Sequence, residues 1–208
     1  MRSTVILLLA TLIGCHGVSA GLCGPSSMTP EAEALAGTRA APSVEARYGG
    51  IVRNTDAGQR MQRIGRRLCR GMDSIQAQYQ YRLLNTDRIN AFSLPGGRIY
   101  VTRGLYVRLV TDELLAAVLA HEMAHIVSKD HFKPRNSTAG EALDRELAAD
   151  AKGVAYLRAA GISPEAMLGV IRIIQDEQPH GWSNIRIDSI ARLVGGIDVL
   201  ASSAEARP

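Results

Sequence analysis

His121 and His125 stand four residues apart, with Glu122 directly after the first, inside the apolar run Leu114 to Val127. That run reads as a buried helix, and helical residues four apart share a face. Two imidazoles on one face can bind a single metal ion together. Glu122 sits about 100° further round the helix, within reach of a water on that metal. A zinc ion lowers the pKa of such a water toward ~7, which gives a nucleophile at neutral pH. The pattern H-E-x-x-H thus predicts hydrolysis by a metal-activated water, with Glu122 as its general base. The competing reading is a pair of satisfied histidines in an apolar core.

A catalytic zinc usually takes three protein ligands and keeps a fourth position for water. Two residues compete for the third place. Glu146 belongs to Glu146-Leu147-Ala148-Ala149-Asp150, in a helix expected from Glu141 to about Ala160 and stopped by Gly161. Glu146 and Asp150 share a face there, so one carboxylate can bind metal while the other orients a ligand imidazole. Ala148, Ala149, Ala151, Val154 and Ala155 surround the pair with small apolar side chains, which suggests burial, and buried carboxylates need partners. His131 has the spacing of the longer pattern H-E-x-x-H-x-x-G-x-x-H. Ser128, however, stands where that pattern has its turn-making glycine. Glu146 is preferred, with His131 as its competitor.

The elements that must hold these residues follow from periodicity and punctuation. Met61, Ile64 and Leu68 recur at helical spacing from Asp56 to Arg70, with five arginines between and beside them. Tyr79 to Leu84 and Ile89 to Phe92 read as strands. Arg98 to Val101 reads as another, after the Pro95-Gly96-Gly97 turn. An edge strand beside a metal can hold an extended peptide through main-chain hydrogen bonds. Asn90, Gly96, Gly97, Arg98 and Ile99 are therefore candidate substrate-binding residues, Asn90 as a brace of the turn. Thr111 is a plausible cap for the helix of Asp112 to Val127. Further helices start near Ser163-Pro164 and Ser183.

The segment from Asn90 to Leu105 closely resembles the stretch that precedes H-E-x-x-H in the M48 family of metallopeptidases. The resemblance runs from about Ile89 to Ile187. It places the family's H-E-x-x-H on His121, Glu122 and His125, and its E-x-x-A-D on Glu146 and Asp150. Its late His-x5-Arg-Ile element falls on His180, Arg186 and Ile187. The resemblance implies an α+β, mainly helical, gluzincin-like domain with a small antiparallel or mixed sheet beside the active-site helix. It implies one zinc per chain held by His121, His125 and Glu146, with Asp150 behind a ligand and His180 as a donor to the developing oxyanion. It also implies an endopeptidase whose substrates are misfolded or unassembled envelope proteins. A zinc-stabilised chaperone or assembly factor for the same proteins is the alternative, although a pure binding module has no need of Glu122.

The N-terminus suggests where this happens. Arg2 precedes a short apolar run, Val5 to Ile13, of the length of a signal-peptide core. Leu12-Ile13-Gly14-Cys15 resembles a bacterial lipobox, so cleavage would leave Cys15 acylated and the protein held at a membrane, facing the periplasm from the outer membrane. Cleavage after Ala20 is the competing route. Cys23 and Cys69 then remain as the one possible disulfide of an exported protein. Residues 1–14 read as the signal, 15–48 as anchor and tether, 49–200 as one catalytic domain and 201–208 as a disordered tail. The tether follows from the Pro, Ser, Ala and Gly content of Gly24 to Ser43. A net charge of +4 and 4% aromatic residues argue against nucleic acid as a partner.

Overall fold

The computed structural model describes residues 29–53, 55–70, 79–134, 137–177 and 182–195. The expected signal segment, Cys15, Cys23, His180 and the tail from 201 lie outside these residues. In chain order the elements are α1 (Pro30–Arg47), α2 (Thr55–Arg70), β1 (Gln80–Leu84), β2 (Ala91–Leu94), β3 (Arg98–Thr102), the short α3 (Arg103–Tyr106), α4 (Asp112–Val127), a single 3-10 turn (Asp130–Phe132), α5 (Ala139–Ala159), α6 (Ala166–Glu177) and α7 (Ser183–Gly195). No helix among the described residues is long and apolar enough to cross a membrane.

The sheet has the order β1-β3-β2, with β1 parallel and β2 antiparallel to β3. Side chains alternate across it, as the pleat requires. Tyr81, Leu83, Ile99 and Val101 enter the main core with residues of α2 and α4. Leu84, Phe92, Leu94 and Tyr100 form a second, smaller core with Ala40, Ala41 and Val44 of α1. The sheet is thus the middle layer between α1 and the helical body. The mixed sheet and mainly helical α+β class expected from the sequence are what the chain adopts.

Two expectations are corrected. The Pro- and Ala-rich stretch read as part of a tether is α1 from Pro30 onward. Thr29 caps it by accepting from the Ala32 amide, Pro30 opens it, and Glu31 and Glu33 complement the dipole at its start. Pro42 removes one hydrogen bond from its interior, and Ala40, Ala41 and Val44 hold the helix on the sheet through their burial. Composition alone hid the small apolar face. Second, β3 is the central strand, not an edge. Ile99 is fully buried and pairs with Tyr81 on one side and Ser93 on the other. Residues Arg98 and Ile99 have no free backbone edge to offer a peptide. That edge belongs to β2.

The β2–β3 turn needs its glycines. Gly96 and Gly97 have φ of 76° and 87°, which L side chains rarely adopt. A Cβ on Gly96 would also lie 2.5 Å from the Ala34 Cα of α1.

Helix α4 is buried on almost every side, with Leu115 through Ala120 and Glu122 through Ile126 all buried. The Thr111 hydroxyl caps it by accepting from the Leu114 amide at 3.2 Å. Helix α5 begins with a full capping box, Thr138 and Glu141 each bonding the other's backbone N–H. It lies close against α4 at Gly153, where an added Cβ would come within 3.4 Å of the His121 backbone nitrogen. This approach carries the acidic face of α5 to the histidines.

Candidate metal centre

Helices α4 and α5 bring His121, His125 and Glu146 together, with one potential ligand atom from each within 4.8 Å of the others. The two Nε2 atoms are 3.0 Å apart, and the rings meet edge to face at 83°. Glu146 Oε2 lies 3.4 Å from His121 Nε2, and Oε1 lies 3.6 Å from His125 Nε2. A tetrahedral ion with bonds of ~2.0–2.1 Å separates its ligand atoms by about 3.3 Å. The three separations bracket that value.

The surroundings dictate which ring atoms are free. His125 Nδ1 is hydrogen-bonded to Asp130 Oδ2 at 2.6 Å, and His121 Nδ1 lies 2.9 Å from Asp150 Oδ1, an ion-pair distance without full hydrogen-bond alignment. A neutral imidazole facing a carboxylate through Nδ1 carries its proton there. Both Nε2 lone pairs then point at each other across 3.0 Å. Two acceptors in that position repel unless a cation sits between them. Glu146 Oε2 is also buried, and its contacts with Arg186 Nη1 at 3.2 Å and His121 Nε2 at 3.4 Å are ion pairs without hydrogen-bond geometry. The donor set therefore fits a divalent metal.

Charge gives the same answer. Glu122, Asp130, Glu146 and Asp150 are all buried. Arg186 of α7 meets Asp150 with two contacts of 2.7 Å and Glu146 with one of 3.2 Å. Lys133 meets Asp130 at 2.5 Å. One guanidinium and one ammonium leave two negative charges, which a dication on neutral imidazoles balances. Without a metal, protons take its place. Burial disfavours a charged His121, but Asp150 and Glu146 overcome it and raise its pKa to about 10. Burial would raise the pKa of both carboxyls. His121 and Arg186 instead hold Glu146 well below the usual range, and Arg186 and His121 do the same for Asp150. The Asp130 carboxyl is likewise held low, by His125 and Lys133 against burial.

Glu122 lies on α4 beside these candidate ligands. Together with His121 and Arg186 it lines an otherwise apolar recess walled by Ala91, Val118, Met167 and Val170. Its Oε2 accepts from the Ser93 hydroxyl of β2 at 2.9 Å.

The other expected site residues fall elsewhere. His131 is no ligand in this arrangement: its Nε2 is 2.9 Å from the Ser93 carbonyl oxygen and 3.1 Å from the Ser93 hydroxyl. Asn90 faces away from the ligands, donating from Nδ2 to the Tyr48 hydroxyl at 3.3 Å. Gly96 and Gly97 sit in the turn under α1, and Arg98 donates to Thr38 of α1 at 2.9 Å. Cys69 is half-buried on α2, and its expected partner Cys23 lies outside the described residues.

Two site residues escaped the sequence reading. Asp130 is brought back to His125 because Lys129 turns the chain with φ of 51° and a 3-10 turn follows. The signal was an acidic residue five after a ligand, too common to weigh alone. Ser93 is one alternating residue of a short strand, and only the sheet's placement against α4 gives it meaning.

Residues 56–139 match the family model of Peptidase family M48, so the resemblance drawn from the motifs is borne out over its first part, which includes His121, Glu122 and His125. The match ends before Glu146 and Asp150, and for those two the geometry above is the independent support. A Beta-barrel assembly-enhancing protease of Yersinia pestis is 33% identical over 66 residues, and one of Escherichia coli 32% identical over 66 residues. Each alignment covers 32% of this chain and 14% of the relative. The Mitochondrial metalloendopeptidase OMA1 of Schizosaccharomyces pombe is 50% identical over 40 residues, 19% of this chain and 12% of the relative. The aligned segment is thus a small part of each of these relatives.

Proposed function

We propose that this chain, an M48-type sequence over residues 56–139, is a zinc-dependent endopeptidase that cleaves misfolded or unassembled proteins of the cell envelope. The observation that carries this is the convergence of two Nε2 atoms of α4 and a buried carboxylate of α5, beside the buried Glu122 of α4. His121, His125 and Glu146 would hold the metal. Bound zinc would polarise the scissile carbonyl and lower the pKa of a water toward ~7.

The rest falls to the chain itself. Glu122 takes the proton of the attacking water and returns it to the leaving amine. Asp130 and Asp150 fix the tautomer and orientation of the two imidazoles. Arg186 holds Asp150 in turn. The peptide lies along the free edge of β2. The Thr102 amide bonds the Asn90 carbonyl, so alternation turns the N–H and C=O of Ala91 and the N–H of Ser93 away from β3. Main-chain pairing there is tolerant of side-chain identity, as a protease of unfolded chains requires. His180 remains part of this proposal as an oxyanion donor. So do the acyl anchor at Cys15, the Cys23–Cys69 disulfide, and a location on the periplasmic face of the outer membrane.

The name of the bacterial relatives, Beta-barrel assembly-enhancing protease, agrees with a substrate among envelope proteins. The test is complementation of a deletion strain by Glu122→Gln, with turnover of an unassembled β-barrel protein followed in parallel. The proposal expects neither growth rescue nor turnover. Rescue by the mutant would replace the protease with the zinc-stabilised assembly factor.

A further inference from the structure

Glu122 has two carboxylate oxygens, and only one of them can serve a water. Oε2 is 2.9 Å from the Ser93 hydroxyl. A serine hydroxyl has one proton and two lone pairs. The same hydroxyl oxygen is 3.1 Å from His131 Nε2, and the Ser93 carbonyl is 2.9 Å from that nitrogen. A carbonyl oxygen can only accept. His131 Nε2 must therefore carry a proton, which it shares between the carbonyl and the hydroxyl. The Ser93 hydroxyl then spends a lone pair on His131 and has its single proton free for Glu122. The Glu122 carbonyl oxygen is a second acceptor at 3.4 Å, but the carboxylate is nearer and charged, so the chain runs from His131 through Ser93 to Oε2.

We propose that Ser93 and His131 form a directional hydrogen-bond relay that locks the Glu122 carboxylate, so that Oε1 alone faces the attacking water. The proposal rests on Glu122 being the general base of the reading above. All three residues are held for it. Ser93 projects from β2 toward α4 and is 3% exposed. His131 is fixed by the 3-10 turn, whose neighbouring Asp130 is tied to His125. Burial, with His125 nearby, holds His131 down at about 4 despite its bond to Ser93. The ring is therefore neutral where a peptidase works. Without the relay the carboxylate has a competitor within its own recess, the Arg186 guanidinium. Rotation toward that cation would turn the base away from its water. Ser93 and His131 are positioning residues: neither touches the reacting atoms.

His131 also occupies the one carbonyl of Ser93 that the edge of β2 turns outward. The relay thus doubles as the end of the peptide-binding edge, leaving Ala91 as its main docking residue.

The experiment uses the mature, zinc-loaded protein and a fluorogenic peptide. Ser93→Ala is expected to lower kcat about tenfold, the scale of a hydrogen bond to a charged group, with KM and zinc content unchanged. Ser93→Thr, which keeps the hydroxyl, restores most of kcat. Adding His131→Phe to Ser93→Ala costs little more, because His131 acts through Ser93. A second readout needs no turnover: side-chain 15N spectra of the five histidines should show His131 protonated at Nε2 and bare at Nδ1. A wild-type kcat in Ser93→Ala, a change confined to KM, or loss of zinc would overturn the relay. So would a His131 ring protonated at Nδ1. A wild type that cleaves nothing would overturn the peptidase reading, and the histidine spectrum would still decide the relay.

Discussion

Arg186 is the residue whose removal the structure punishes most clearly. Its side chain is 9% exposed and serves Asp150 and Glu146, which are 1% and 2% exposed. In Arg186→Met the fit of the aliphatic stem is kept and the charge lost. Asp150 and Glu146 are then left as buried carboxylates with His121 as their shared partner. Breaking one partner out of a buried pair costs about 3–5 kcal/mol, a large share of the ~5–15 kcal/mol that holds a domain folded. At ~2–4 °C per kcal/mol for a chain of this size, the midpoint should fall by roughly 10 °C. The loss should be greater in EDTA than with zinc, because a bound dication takes over the compensation of Glu146 and leaves only Asp150 exposed to the deficit. Arg186→Lys should fall between, since an ammonium cannot reproduce the two parallel contacts with Asp150. The exposed Arg192→Ala is the control. Differential scanning calorimetry with and without zinc reads all of this. A midpoint within about 2 °C of wild type in both conditions would refute the claim that this arginine neutralises the site.

Three further outcomes follow. The zinc-free protein should lose stability as pH rises from near 7 through 10: His121 titrates at about 10 in the folded chain against 6.5 unfolded, so the folded state binds more protons in that window. A melting midpoint in EDTA that rises or stays level there would contradict the His121 contacts. Asp130→Asn should weaken zinc binding about 10–100-fold in competition with a chromophoric chelator, while far-UV circular dichroism is unchanged; unaltered affinity would remove Asp130 from the site. Gly37→Ala should destabilise the fold and expose the β2–β3 turn to proteolysis, because its Cβ would meet the Pro95 carbonyl oxygen at 1.9 Å. A variant as protease-resistant as wild type would mean that α1 is not packed there.

What could be read from the sequence was what local periodicity encodes. His121, Glu122 and His125 fall on one helix, Glu146 and Asp150 on another, and spacing alone gives their faces. The cap Thr111 and the stop at Gly161 mark where α4 begins and α5 ends, whereas the Thr138 cap sets the start of α5 two residues before the expected Glu141. The misreadings all depended on contacts distant in sequence. Strand order is set by which edge β1 joins, and nothing local in Arg98 to Thr102 distinguishes a central strand from an edge. Helix α1 looked like a tether because its apolar face is only alanine and valine, recognisable once Phe92, Leu94 and Tyr100 are opposite it. Asp130 and Ser93 gain roles only when a turn and a sheet edge are folded onto α4. Arg186 was noticed through the family element, but its pairing with Asp150 could not be seen without α7 in place against α5.

The central claim is that His121, His125 and Glu146 hold a zinc ion which Glu122 needs for peptide hydrolysis. Metal content and casein cleavage, measured together on the wild type, Glu146→Ala and Glu122→Gln, test it most directly. The account predicts one zinc per chain and cleavage in the wild type, loss of both in Glu146→Ala, and zinc without cleavage in Glu122→Gln. Full zinc in Glu146→Ala, or cleavage by Glu122→Gln, would contradict it.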